Sequence, residues 1–114
     1  MNNLVRLCKA DAVSPGKVKQ IEVAGADEPL ALFNVNGTYY LTDDTCTHGF
    51  ASLSQGDVDG DVIHCPLHGG AFWIATGKPA ERPCTINLKT YRVWRDGDDI
   101  VSDLGAGPGE SGKP

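Results

Sequence analysis

Cys46, His48, Cys65 and His68 fall in two short clusters, Cys46-Thr47-His48-Gly49 and Cys65-Pro66-Leu67-His68-Gly69, with sixteen residues between His48 and Cys65. Each cluster carries one thiol and one imidazole. Two thiolates and two imidazoles suit a dinuclear [2Fe-2S] centre in which histidine replaces cysteine on one of the two irons. They also suit a single tetrahedral zinc ion. The distribution of ligands bears on the choice. A zinc finger usually draws two cysteines from one knuckle and two histidines from a helix, so that all four converge on one ion. Here each segment holds one of each kind, and such a segment can straddle two irons, giving its cysteine to one and its histidine to the other. A structural zinc module serving as an interaction domain is the alternative.

The elements that must hold these segments are short strands joined by turns, with no convincing helix. Asn36-Gly37 separates Leu30–Val35 from Thr38–Leu41, and this dipeptide supplies the positive φ angles of a two-residue hairpin. Asp59-Gly60 marks a turn entering Asp61-Val62-Ile63-His64, and Asp96-Gly97 one between Tyr91–Trp94 and Asp98–Val101. Lys17–Val23 alternates polar and apolar residues at period two, as a strand with one buried face does. Strands before and after the ligand segments predict an all-β chain, with a base β-domain carrying an inserted unit from about Asp43 to Phe72. Residues 1–104 form the single domain. The tail, 105–114, is too rich in glycine and proline to pack and is expected to be flexible.

At 114 residues and 40% hydrophobic composition, one domain of this size buries only about two-thirds of its unfolded surface, so a metal staple would help it. The first residues contain no apolar run of signal-peptide length, and nothing approaches the roughly 20 apolar residues of a membrane span. The expectation is a cytoplasmic protein with no membrane association. A reducing compartment leaves Cys8 and Cys84 as free thiols with packing roles. The net charge of −5 and a sequence pI near 4.9 make nucleic acid a poor partner.

Cys46-Thr47-His48-Gly49 and Cys65-Pro66-Leu67-His68-Gly69-Gly70-Ala71-Phe72 resemble the two ligand boxes of the Rieske family, and Thr76-Gly77-Lys78-Pro79 is similar too. The resemblance runs from about Leu4 to Leu104, with its specific part confined to the boxes. It implies a Rieske fold: an antiparallel β-sandwich base domain with an inserted cluster-binding subdomain. It implies one [2Fe-2S] cluster on Cys46, His48, Cys65 and His68. Thr76–Pro83 is similar to the proline-bearing loop that covers the cluster; an ordinary surface turn is the alternative. Respiratory members carry an extra cysteine in each box, joined as a disulfide, where this chain has Ala51 and Leu67. They also place serine and tyrosine hydroxyls on the cluster sulfurs, where this chain has Gly70 and Phe72. The missing donors imply a midpoint potential on the order of −150 mV, at the low end of the Rieske range of about −150 to +300 mV.

A short low-potential chain is similar to the ferredoxin components of bacterial aromatic ring-hydroxylating dioxygenase systems. That likeness implies a soluble carrier of single electrons from a flavin-dependent NAD(P)H reductase to a terminal oxygenase, with no catalytic residues of its own. An oxygenase would need a second iron held by two histidines and a carboxylate, and after His48 and His68 only His64 remains. A Rieske-like subunit of a nitrite reductase or a monooxygenase is the alternative within the family. With neutral histidines the oxidised centre is uncharged and the reduced one carries −1, whereas a four-cysteine cluster runs from −2 to −3; this is why histidine ligation raises the potential. The free ring nitrogens of His48 and His68 would be the exit for the electron.

Five acids, Asp43, Asp44, Asp57, Asp59 and Asp61, lie between Asp43 and His68 without a lysine or arginine, and the other ten acids are matched by ten bases. This stretch is read as an acidic collar that steers basic partners, or more plainly as turn aspartates. His64 is read as structural. Phe50 and Leu67 are candidates for an apolar rim, and Phe72 and Trp73 for core packing. Gly49, Gly69 and Gly70 are read as letting backbone amides approach the sulfurs. Tyr91 and Trp94 are assigned to the base sheet.

Overall fold

The computed structural model describes residues 4–23, 28–47, 51–66, 70–82 and 86–105. Eleven strands are seen among them: β1 (Val5–Lys9), β2 (Lys17–Ile21), β3 (Leu30–Val35), β4 (Thr38–Asp43), β5 (Asp57–Asp59), β6 (Val62–His64), β7 (Ala71–Trp73), β8 (Pro79–Glu81), β9 (Thr90–Tyr91), β10 (Trp94–Asp96) and β11 (Asp99–Ser102). Every pairing is antiparallel, in three sheets ordered β1-β11-β10, β2-β3-β4-β9 and β5-β6-β7-β8. Short 3₁₀ turns at Ala10–Ala12 and Leu53–Gln55 are the helical residues among those described. The all-β, antiparallel expectation is met.

β3 explains the layering. All six of its residues are buried, so both faces of the strand are covered. Ala31, Phe33 and Val35 point into a core shared with Cys46, Leu53, Ile63, Cys65, Phe72, Ile74 and Leu88. Leu30 and Leu32, on the opposite face as period-two alternation requires, join Val13, Ile21, Tyr39, Leu41, Tyr91, Val93 and Ile100. The β2-β3-β4-β9 sheet is therefore a middle layer between two apolar cores. One core joins it to the base sheet β1-β11-β10, the other to the small sheet β5–β8. Cys8 is partly buried against the base-side core, and that burial raises its thiol pKa. Cys84 and the tail from 106 onward lie outside the described residues.

The hairpin of β3 and β4 turns through Asn36 (φ 54°) and Gly37 (φ 91°), the two successive positive φ values of a type I′ turn. Asn34 anchors it, donating from Nδ2 to the Val13 carbonyl (2.8 Å) and accepting the Gly37 amide at Oδ1 (2.8 Å). The expected strand Tyr91–Trp94 is divided. Tyr91 pairs with Leu41 in the middle sheet, whereas Trp94 pairs with Val101 in the base sheet. Between them the Arg92 amide donates to the Gly105 carbonyl (2.9 Å) and the Ser102 hydroxyl to the Arg92 carbonyl (2.6 Å). Residues 102–105 thus replace a ladder partner where the chain crosses from one sheet to the other. The small sheet runs on to Glu81: Pro79 returns against Phe72, one strand beyond the boundary drawn from the ligand motifs. No helix of the described residues is long and apolar enough to cross a membrane.

The crossing is also held by charge. Arg92 donates from Nε (3.3 Å) and one guanidinium nitrogen (2.6 Å) to the Asp103 carboxylate, which also accepts the Gly105 amide (2.9 Å). The Gly105 amide and then the Arg92 guanidinium hold the Asp103 carboxyl below its ordinary pKa. A lowered folded-state pKa gives stability that is present above the ordinary aspartate value of about 3.9 and lost as pH falls through the folded-state value. Thermal melts across that acid range will show a steeper loss for the native chain than for Asp103→Asn. Parallel curves would rule out this contribution.

Candidate metal centre

The first ligand segment begins where β4 ends. The Asp44 amide donates to the Pro29 carbonyl (3.1 Å), the Cys46 amide to the Ala51 carbonyl (2.9 Å) and the Leu53 amide to the Asp44 carbonyl (2.7 Å), with a Thr45–Ser52 bridge between them. These bonds close a narrow neck. Three side chains then moor the segment to its surroundings. The Asp44 carboxylate accepts Gln20 Nε2 (2.8 Å), the Ser52 hydroxyl and the Ser54 amide (2.7 Å). Thr45 Oγ1 donates to Glu28 Oε1 (2.7 Å), and Thr47 Oγ1 to the Ile86 carbonyl (2.8 Å). The last bond ties the first segment to the stretch that follows the proline-bearing loop.

The second segment is the connection between β6 and β7, and it is closed in the same way. The Cys65 amide donates to the Gly70 carbonyl (2.7 Å). In both segments the cysteine amide thus bonds the carbonyl five residues on, and the two loops share one construction. The necks meet at Gly56: a Cβ there would overlap the His64 carbonyl oxygen, in the residue just before Cys65. Its φ of −88° is one any residue can adopt. The glycine is required by the approach of two backbones.

Cys46 and Cys65 are each 3% exposed and belong to the same apolar core. Buried thiols in apolar surroundings, supplied by two matched loops, fit a sulfur-ligated cluster, because soft thiolate donors select iron–sulfur centres and zinc over hard cations. His48, Gly49, Phe50, Leu67, His68 and Gly69 lie outside the described residues. Gly70, read as a residue that opens space at the sulfurs, supplies the carbonyl that closes the second loop.

The other singled-out residues divide between core and surface. Phe72 is fully buried, as expected, but Trp73 is 48% exposed. The expected core role of Trp73 is corrected: in a strand, neighbours face opposite ways, and Phe72 takes the inner face. His64 stands on the outer face, with Nε2 3.8 Å from Asp59 and Nδ1 3.9 Å from Glu81. Tyr91 lies in the middle sheet and Trp94 in the base sheet. Pro79–Glu81 of the proline-bearing segment is a strand rather than an open loop. Of the five collar acids, Asp44 is buried, and Asp43 accepts the Tyr91 hydroxyl (2.7 Å). Burial and then that bond push the Tyr91 pKa far up. Asp57, Asp59 and Asp61 are exposed.

A family model described as the Rieske [2Fe-2S] domain matches residues 3–92. The chain is 49% identical over 94 residues to ferredoxin CarAc of Metapseudomonas resinovorans, covering 82% of this chain and 87% of that one. Among solved structures it resembles the Sphingomonas yanoikuyae B1 ferredoxin, at a TM-score of 0.86 and 40% identity over 90% of this chain and all of that one. It also resembles a chain from a complex of reduced oxygenase and oxidised ferredoxin in carbazole 1,9a-dioxygenase, at a TM-score of 0.83 and 42% identity, covering 96% and 97%.

Gly56→Ala tests the approach of the two necks. Forcing a methyl group against the backbone carbonyl will cost about 1–3 kcal/mol, read as a lower melting temperature with less iron per chain after purification. A variant with native stability and native iron content would mean that the necks can part without consequence.

Proposed function

Because the chain belongs to the Rieske [2Fe-2S] domain family, we propose that Cys46 and Cys65 hold one iron of its cluster and His48 and His68 the other. On this reading the protein is the ferredoxin component of an aromatic ring-hydroxylating dioxygenase system. The observation that carries the assignment is the burial of Cys46 and Cys65 in one core, at the heads of two loops closed by the same bond. When bound, the cluster supplies a one-electron couple whose potential histidine ligation raises above that of plant-type ferredoxins.

The chain's own residues do the rest. Leu53, Ile63, Phe72, Ile74 and Leu88 pack around the cysteines and keep water from the sulfurs. The mooring of Thr45 to Glu28 and Thr47 to Ile86 restrains the first loop, which limits the rearrangement accompanying a change of charge. As ligands, His48 and His68 would each keep a second ring nitrogen as the exit for the electron. The protein is an electron-transfer component, not an enzyme. Its partners are a flavin-dependent NAD(P)H reductase and a terminal oxygenase, and its compartment is the cytoplasm. The exposed Asp57, Asp59 and Asp61 favour partners with basic docking faces.

Electron paramagnetic resonance after dithionite reduction tests the centre. A rhombic signal of low average g is expected, with a midpoint below zero and on the order of −150 mV, and His68→Ala abolishes the signal. A colourless, zinc-loaded protein would overturn the assignment. Reconstitution with reductase and oxygenase should give oxygenase reduction that slows with added salt; a flat salt profile would remove the acids from docking.

A further inference from the structure

Asp44 is the buried carboxylate among the described residues, at 2% exposure. Its contacts are complete. Oδ2 accepts Gln20 Nε2 and the Ser52 hydroxyl, Oδ1 accepts the Ser54 amide, and the Ser52 and Ser54 hydroxyls lie 2.8 Å apart. Its own amide and carbonyl are bonded to Pro29 and Leu53. All these side-chain partners are neutral donors, and among the described residues Asp44 enters no ion pair. The charge is solvated by dipoles rather than neutralised.

Such a group is costly to bury, and its place in the fold says what it does. Ser52 and Ser54 lie on the return limb of the first ligand loop, and Gln20 lies on β2 of the middle sheet. One carboxylate therefore clasps both limbs of the loop and fastens them to the middle layer. It also sits two residues before Cys46, within about 7.6 Å along the chain, in an interior where charges are weakly screened. On the ligand assignment made under Proposed function, we propose that Asp44 is a positioning residue for the cluster. Its buried charge also biases the centre toward a low midpoint potential, because an added electron is repelled by a carboxylate that pairs with no cation among the described residues. The low potential expected from the sequence would then have two sources: the hydroxyls replaced by Gly70 and Phe72, and this charge.

The test compares the cluster-loaded native chain with Asp44→Asn and Gln20→Met by titration followed through the reduced-state resonance, together with the rate of cluster loss to a chelator. Asparagine keeps the shape, and Gln20 can turn its amide to present oxygen instead of nitrogen. Asp44→Asn is expected to favour the reduced state by about tenfold, which is 59 mV upward for a one-electron couple, with unchanged g-values. Gln20→Met leaves the charge less well solvated and is expected to lower the midpoint. Both variants lose the cluster faster. An Asp44→Asn midpoint equal to the native one, with faster cluster loss, reduces Asp44 to a structural clasp and overturns the proposal. If Asp44→Asn takes up no cluster, Gln20→Met decides, and a midpoint unchanged or raised in it overturns the proposal. A native chain without the Rieske signal would instead defeat the ligand assignment, leaving the two failures distinguishable.

Discussion

Double burial of β3 is the constraint on which the architecture rests. A strand with six consecutive buried residues cannot sit at the surface of a two-layer sandwich, because each of its faces must find an apolar partner. The base sheet covers one face through Leu30 and Leu32, and the small sheet covers the other through Ala31, Phe33 and Val35. The small sheet is too narrow to hold itself together: its strands have three residues each, and isolated short hairpins are marginal in water. Its stability is borrowed from the middle layer. The second cysteine-bearing loop projects from the sheet that is held in this way, the first leaves β4 of the middle layer, and both cysteines sit in the core between the two sheets.

That arrangement reconciles two demands on an electron carrier. The centre must be shielded from water, which asks for an apolar core, yet the loops that wrap it must have their backbone polar groups satisfied. The two matched neck bonds, Cys46 to Ala51 and Cys65 to Gly70, answer the second demand locally. Each loop spends one amide and one carbonyl on itself at the point where it leaves the sheet. The side-chain moorings of Asp44, Thr45 and Thr47 then restrain the first loop from three directions. On the proposed ligand assignment, a centre held by loops restrained in this way has little structure to rearrange when its charge changes.

Local signals in the sequence were sufficient wherever the determining chemistry lies within a few residues. Asn36-Gly37 forms the hairpin its left-handed preference dictates, and Cys46 and Cys65, singled out by type and spacing, are brought into one core. What could not be read depends on contacts between distant segments. The division of Tyr91–Trp94 between two sheets is caused by bonds from 102–105 to Arg92, which a period-two pattern does not encode. Gly56 is required by His64, eight residues away on β6, and nothing in its neighbourhood marks it. Trp73 reads as a core residue by composition, and only the parity of its strand turns it outward.

The acids between Asp43 and His68 show how a run of like residues can hide different physics. Read as a row they make a single negative collar, but the fold separates them. Asp43 and Asp44 turn inward, to the Tyr91 hydroxyl and to the loop clasp, and contribute little to the field a partner meets in solution. Asp57, Asp59 and Asp61 stay exposed on the small sheet and its turn, and Glu81 shares the outer face with Asp59 on either side of His64. The exposed acids of this stretch therefore lie together on the small sheet and its turn rather than as one continuous row. A one-sided cluster of charge orients an approaching partner as well as attracting it, and the exposed Trp73 and Ile86 offer apolar surface once that approach is made.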